Sequence, residues 1–151
     1  MPRFVLLFHE CPPDYERPSH WDFMLEFGPA LRTWTLRELP AAWRAAHDTT
    51  ASLPWKCPPL ALGDCVDAEQ LADHRLEYLS FEGPLSLERG RVFRVESGDF
   101  RVPAAEGNAA GCLQVEVSGG LLRGIVTLVE SESDGNRWTM SVQETTTVSP
   151  P

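Results

Sequence analysis

The stretch His20-Trp21-Asp22-Phe23-Met24-Leu25-Glu26-Phe27 decides how the whole chain is read. Taken as a strand, its successive side chains point to opposite faces. Trp21, Phe23, Leu25 and Phe27 line one side, and His20, Asp22, Met24 and Glu26 the other. The apolar side is the expected core face. The second side carries an imidazole and a carboxylate two residues apart, the spacing at which two ligands on one strand converge on a single ion. The same pattern also suits an ordinary solvated strand face, so its surroundings have to decide.

Upstream, Phe4-Val5-Leu6-Leu7-Phe8 is apolar on both faces, as in a fully buried strand, and ends on His9. Residues 10–19 hold Pro12, Pro13 and Pro18 among polar residues and read as a loop that returns the chain to His20, carrying Asp14, Glu16 and Arg17. Downstream, Gly28-Pro29 signals a tight turn and residues 30–36 alternate as the second arm of a hairpin. A two-residue loop there sets Thr35 opposite Asp22 and Arg37 opposite His20.

Pro40 and the alanine-rich run to His47 read as one or two helical turns, with His47 in the last turn and without a chemical role. Residues 49–62 form a proline-punctuated loop anchored by Trp55, and Asp67 with Gln70 suits the start of a short helix through Asp73. Further on come short alternating segments at 77–81, 90–95, 100–102, 111–117, 121–129 and 137–142, separated by turns such as Ser97-Gly98 and Gly119-Gly120. Together they predict an all-β fold, a small closed or partly open antiparallel barrel with one or two short helices and a frayed tail at 145–151.

A chain of 151 residues is the size of one domain, expected here to span 1–151. Its net charge of -9 excludes a general electrostatic grip on nucleic acid, so any polyanion must meet a local patch. Cys11, Cys57, Cys65 and Cys112 form no Cys-x-x-Cys pair and stand at no finger-like spacing from a histidine, which reads as reduced thiols. The apolar run at 4–8 is too short for a signal peptide or a membrane span. The expected compartment is the cytoplasm, with no membrane partner.

Two imidazoles and one carboxylate, with positions left for water or substrate, make a first-row metal centre able to act as a Lewis acid. Two donor sets satisfy this. His20, Asp22 and His74 match the spacing of iron(II) oxygenases that use 2-oxoglutarate, although no arginine follows His74 at about ten residues, as such enzymes usually have. His9, His20 and Asp22 form the other set and leave His74 as an acid or transition-state stabiliser.

A wider set of motifs decides between them. The strand ending at His9, His20-Trp21-Asp22-Phe23 with Leu25-Glu26, Leu31-Arg32-Thr33-Trp34, His74-x-Leu76-Glu77-Tyr78 and Phe81-Glu82-Gly83 occur in this order. Together they resemble the 3′-phosphoesterase module of bacterial ATP-dependent DNA ligase D, in a stand-alone, divergent version. The resemblance covers most of the chain and implies a small β-barrel with extended chain near Asp67. It also implies a divalent metal, typically manganese with zinc or another first-row ion as substitutes. The activity implied is trimming of DNA or RNA-tipped 3′ ends to a hydroxyl, beside a ligase or other repair partner. By the same resemblance His9, His20 and Asp22 are the metal ligands, while His74 and Tyr78 contact the scissile phosphate.

The chain also departs from that pattern. Met24 stands where the family usually has an arginine two residues beyond the metal aspartate, and Val66 meets a second arginine position. Members carry an arm ahead of the first strand, whereas here the strand begins at Phe4, and the loop between His9 and His20 is longer than usual. Arg17, Arg32, Arg37 and Arg75 are the candidates to supply the missing cations. Three functions follow: a metal-dependent phosphoesterase acting on 3′-phosphate or 3′-ribonucleotide ends, a non-catalytic metal-binding barrel that holds nucleic-acid ends or a protein partner, and an iron/2-oxoglutarate or other metalloenzyme.

Overall fold

The computed structural model describes residues 1–15, 18–40, 42–43, 65–85, 90–103, 111–120, 122–131 and 136–143. Nine strands appear among them: β1 (Arg3–Glu10), β2 (His20–Phe27), β3 (Ala30–Leu36), β4 (Cys65–His74), β5 (Gly83–Pro84), β6 (Arg91–Arg101), β7 (Cys112–Gly119), β8 (Arg123–Glu130) and β9 (Arg137–Gln143). All pairings are antiparallel. The order β1-β2-β3-β4-β9-β8-β7-β6 returns to β1 through a β1–β6 pairing, so eight strands close into a barrel and β5 is a two-residue addition beside β6.

The interior follows from strand alternation. Phe4, Leu6 and Phe8 of β1 meet Trp21, Phe23 and Leu25 of β2, Trp34 and Leu36 of β3, and the alternate residues of β4 and β7–β9 in one core. An eight-stranded barrel leaves an interior that side chains can fill, and the aromatic residues fill it. Phe23 lies between Phe4 and Trp43, with ring centroids at 6.2 and 5.5 Å, and Trp34 meets Trp138 edge-on at 5.7 Å.

The β2–β3 hairpin turns through Gly28-Pro29, with Phe27 paired to Ala30 and Asp22 to Thr35 as the two-residue loop requires. Gly28 has φ +59, and with proline's fixed negative φ next to it the pair suits the mirror-image II′ turn, whose twist matches that of the strands. The last pair in that register is Trp21 with Leu36, so Arg37 leaves β3 beside His20.

Three local expectations are corrected. Residues 67–73 are not helical: they belong to β4, which pairs with β3 on one side and β9 on the other and turns Val66 and Ala68 into the core. Residues 77–81 are not a strand: a 3-10 turn over Leu76–Leu79 replaces it, and Leu79 is buried. Ser97-Gly98 is not a turn either, because β6 runs straight through it. A Cβ at Gly98 would lie 2.2 Å from the Ser118 carbonyl oxygen, so glycine here serves close backbone approach between β6 and β7. Ala42 and Trp43 are helical, but the rest of the helix expected at 40–47, the Trp55 loop and the tail lie outside the described residues. Among the described residues the 3-10 turn is the only other helical element.

A second, smaller cluster covers part of the barrel's outer surface. Val5, Leu7, Met24, Leu31 and Val92 point outward and are roofed by Leu79, with Leu76, Tyr78, Phe81 and Leu85 packed against them. Both faces of β1 and the first half of β2 are therefore buried.

Truncating the aromatic at the centre of the barrel tests this packing. Phe23→Ala is expected to lower the unfolding free energy by about 3–5 kcal/mol, read as a shifted urea midpoint with unchanged m.

Candidate metal centre

Pairing of β1 with β2 sets His9 directly opposite His20 on the outer face, one step beyond the Leu7–Asp22 level. The two imidazoles meet edge to face with centroids 4.8 Å apart. His20 is only 4% exposed and Asp22 8%, so this is no solvated strand face.

The orientation of His20 is fixed from behind. Its Nδ1 lies 2.9 Å from the Pro18 carbonyl, which can only accept, so Nδ1 carries the proton. In the neutral ring, Nε2 then presents a lone pair. That atom lies 3.5 Å from Asp22 Oδ1, itself buried and without a hydrogen-bond partner among the described residues. With the ring neutral, two acceptors face each other. The gap is longer than the about 2.7–2.9 Å of a charge-assisted hydrogen bond. It is close to the roughly 3.3–3.4 Å that separates two ligands bound at about 2.0–2.1 Å to a tetrahedral ion. A backbone carbonyl behind a histidine is also the usual support for a metal-ligating imidazole.

The structure adds a residue that sequence reading left among the reduced thiols. Ligand atoms of His9, Cys11 and His20 all lie within 4.8 Å of one another, and Asp22 falls outside that group although it faces His20. Cys11 sits just past β1, where its N–H donates to Ser19 Oγ at 2.9 Å, pinning both ends of the 11–19 loop beside the histidines. The signal was present in the sequence: His9-x-Cys11 at a strand end has the same two-residue spacing as His20-x-Asp22.

His74 and Tyr78 form a separate pair. His74 is paired with Leu31, which faces Glu26, four residues along β2 from Asp22 and so about 13 Å away at the strand rise. Its Nδ1 donates to the Ala72 carbonyl at 2.9 Å and its ring meets Tyr78 edge-on at 5.4 Å. Among the described residues, His20, Asp22 and His74 do not form a convergent ligand group.

Met24 and Val66, where the chain departs from the resembled pattern, are buried, Met24 in the outer cluster and Val66 inside the barrel. Arg32 lies over the Trp34 and Phe27 rings, 5.0 and 5.5 Å from their centroids, at the Leu25 end of the hairpin. Arg75 pairs with Glu77 beside His74, and Arg17 lies outside the described residues. Glu26 is bound to Arg3, whose hydrogen bond holds its carboxyl below the usual carboxylate range. Of the three described candidates, Arg37 alone lies beside His20. It lines a cleft of about 730 Å³ with His20, Thr35, Glu69 and Arg137.

The convergence of acceptors predicts an unusual mutant. In the chelated protein Asp22→Asn should raise the unfolding free energy by about 1 kcal/mol, since an amide N–H can donate to His20 Nε2 where a carboxylate cannot. Urea unfolding measures this, and a loss of stability would show that His20 is held protonated against Asp22.

A scan against protein-family models returned no match to this chain, and a search of the curated proteins returned none either.

Proposed function

We propose that this protein is a metal-dependent phosphoesterase that trims the 3′ ends of nucleic acid, with His9, His20 and Asp22 holding the ion. The observation that carries the reading is the buried approach of His20 Nε2 and Asp22 Oδ1 at 3.5 Å, with Asp22 Oδ1 lacking a hydrogen-bond partner among the described residues. When bound, a divalent ion would act there as a Lewis acid on a phosphoryl oxygen. The chain's own groups supply the rest. The cleft opens directly from His20, and Arg37 and Arg137 on its walls suit a phosphate bound beside the ion. These two guanidiniums take the part of the arginines displaced by Met24 and Val66.

His74, whose Nδ1 donates to the Ala72 carbonyl, presents Nε2 as an acceptor in the neutral ring, and Tyr78 beside it has a hydroxyl that can donate to a nucleic-acid strand. Set apart from the ion by the register of β2, β3 and β4, they serve the strand on either side of the reacting phosphate. Manganese is the ion the resemblance implies, and a repair ligase is the partner that would consume the 3′-hydroxyl.

A second reading has its own observation. Met24 is 1% exposed and Val66 5%, so the family's cation positions are committed to packing. A barrel that has lost them suits a protein that holds nucleic-acid ends or a protein partner without cleaving them.

The test is a manganese titration with a 5′-labelled primer–template ending in a 3′-phosphate or a single 3′ ribonucleotide. Metal-dependent conversion to the 3′-hydroxyl is expected, abolished in His20→Ala and shifted to higher KM with little change in kcat in Arg37→Ala. A metal-loaded protein that turns over no 3′-blocked end removes the hydrolase and leaves the binding barrel.

A further inference from the structure

We infer that Cys11 binds the same ion as His9 and His20, making this a thiolate-bearing site that selects zinc over manganese. The inference rests on the metal reading of the His20–Asp22 pair and extends it to ligand set and metal.

Three observations carry it. The ligand atoms of His9, Cys11 and His20 lie within 4.8 Å of one another, so small side-chain rotations bring all three onto one ion. The loop bearing the sulfur is tied down at its far end, where the Cys11 N–H is held by Ser19 Oγ and the next carbonyl back, Pro18, orients His20. One set of loop contacts therefore positions both the thiol and the imidazole. Buried beside them, Asp22 Oδ1 lacks any donor among the described residues, and that independently asks for a cation.

The chemistry of the donors then chooses the metal. Carboxylate and water ligands suit manganese, whereas thiolate with imidazole suits zinc, which also outranks manganese in affinity for nitrogen and sulfur sites generally. Two imidazoles, one thiolate and the Asp22 carboxylate make four donors, a full tetrahedral set, so a phosphoryl oxygen would enter by expansion to five-coordination. On binding, the Cys11 thiol gives up its weak contact to the His9 carbonyl, at 3.9 Å, and releases its proton to solvent as the sulfur–metal bond forms.

Cobalt(II) is the probe, added to the chelator-stripped full chain and to Cys11→Ser and Cys65→Ser. A near-ultraviolet sulfur-to-cobalt charge-transfer band is expected in the parent and in Cys65→Ser, whose thiol is on an exposed strand end. Cys11→Ser should keep the weaker visible bands and lose that one. In competition, zinc should displace cobalt where equimolar manganese does not, and zinc affinity should fall at least about tenfold in Cys11→Ser. Visible cobalt bands without the charge-transfer band in the folded parent would overturn Cys11 as a ligand and leave the metal site standing. Absence of any cobalt absorption would remove the metal site and Cys11 together.

Discussion

Pairing of β1 with β6 as well as β2 is the constraint on which the rest of the structure depends. It closes the barrel, leaves β1 without a free edge and commits both of its faces to packing, the inner to the aromatic core and the outer to the Leu79 roof. A register shift between Leu6 and Leu7, where Val95 of β6 is the extra residue, lets β1 follow β6 through its bend. The site inherits this rigidity. His9 and His20 are opposed by backbone hydrogen bonding between two paired strands, and a one-residue slip of either strand would turn its imidazole into the core. Stability and donor geometry are thus set by the same ladder.

How much of this was legible depended on where the hydrophobic pattern was strong. In β2 the alternation is clean and Gly28-Pro29 admits one loop length, so the core face and the Asp22–Thr35 register could be read directly. In β4, alanine, glutamate, glutamine and leucine favour a helix locally, and two paired neighbours override them. Around Leu76 the apolar residues recur at three-residue spacing, which a 3-10 turn uses to bury Leu79 and which is easily mistaken for an alternating strand. The juxtaposition of His9 with His20, and of His20 with Asp22, was legible because these residues end or occupy strands. Cys11 was obscured because loop geometry, not strand periodicity, brings its sulfur to the histidines.

Burial changes what these donors can do. On a wet strand face a histidine and an aspartate would each be satisfied by water, and their spacing would carry no meaning. Here His20 and Asp22 are 4% and 8% exposed, and Asp22 Oδ1 has lost water without gaining a hydrogen-bond partner among the described residues. An acceptor left unmatched in low dielectric costs more than a typical hydrogen bond returns, which makes the pair a poor choice for stability alone.

Under the proposed reading, the same electrostatics would order the binding events. Along the cleft the carboxylates Glu38, Asp67 and Glu69 outnumber the guanidiniums of Arg37 and Arg137, and Asp22 adds a further negative charge behind His20. In an acidic protein such a cleft repels a phosphate as long as the ion is absent. A divalent cation at His20 would be the largest local charge and would reverse the field at the mouth of the cleft, leaving the two arginines to orient the phosphate rather than to attract it alone. Ion and phosphate would therefore bind cooperatively, each favouring the other through that charge, and the metal would decide recognition as well as chemistry.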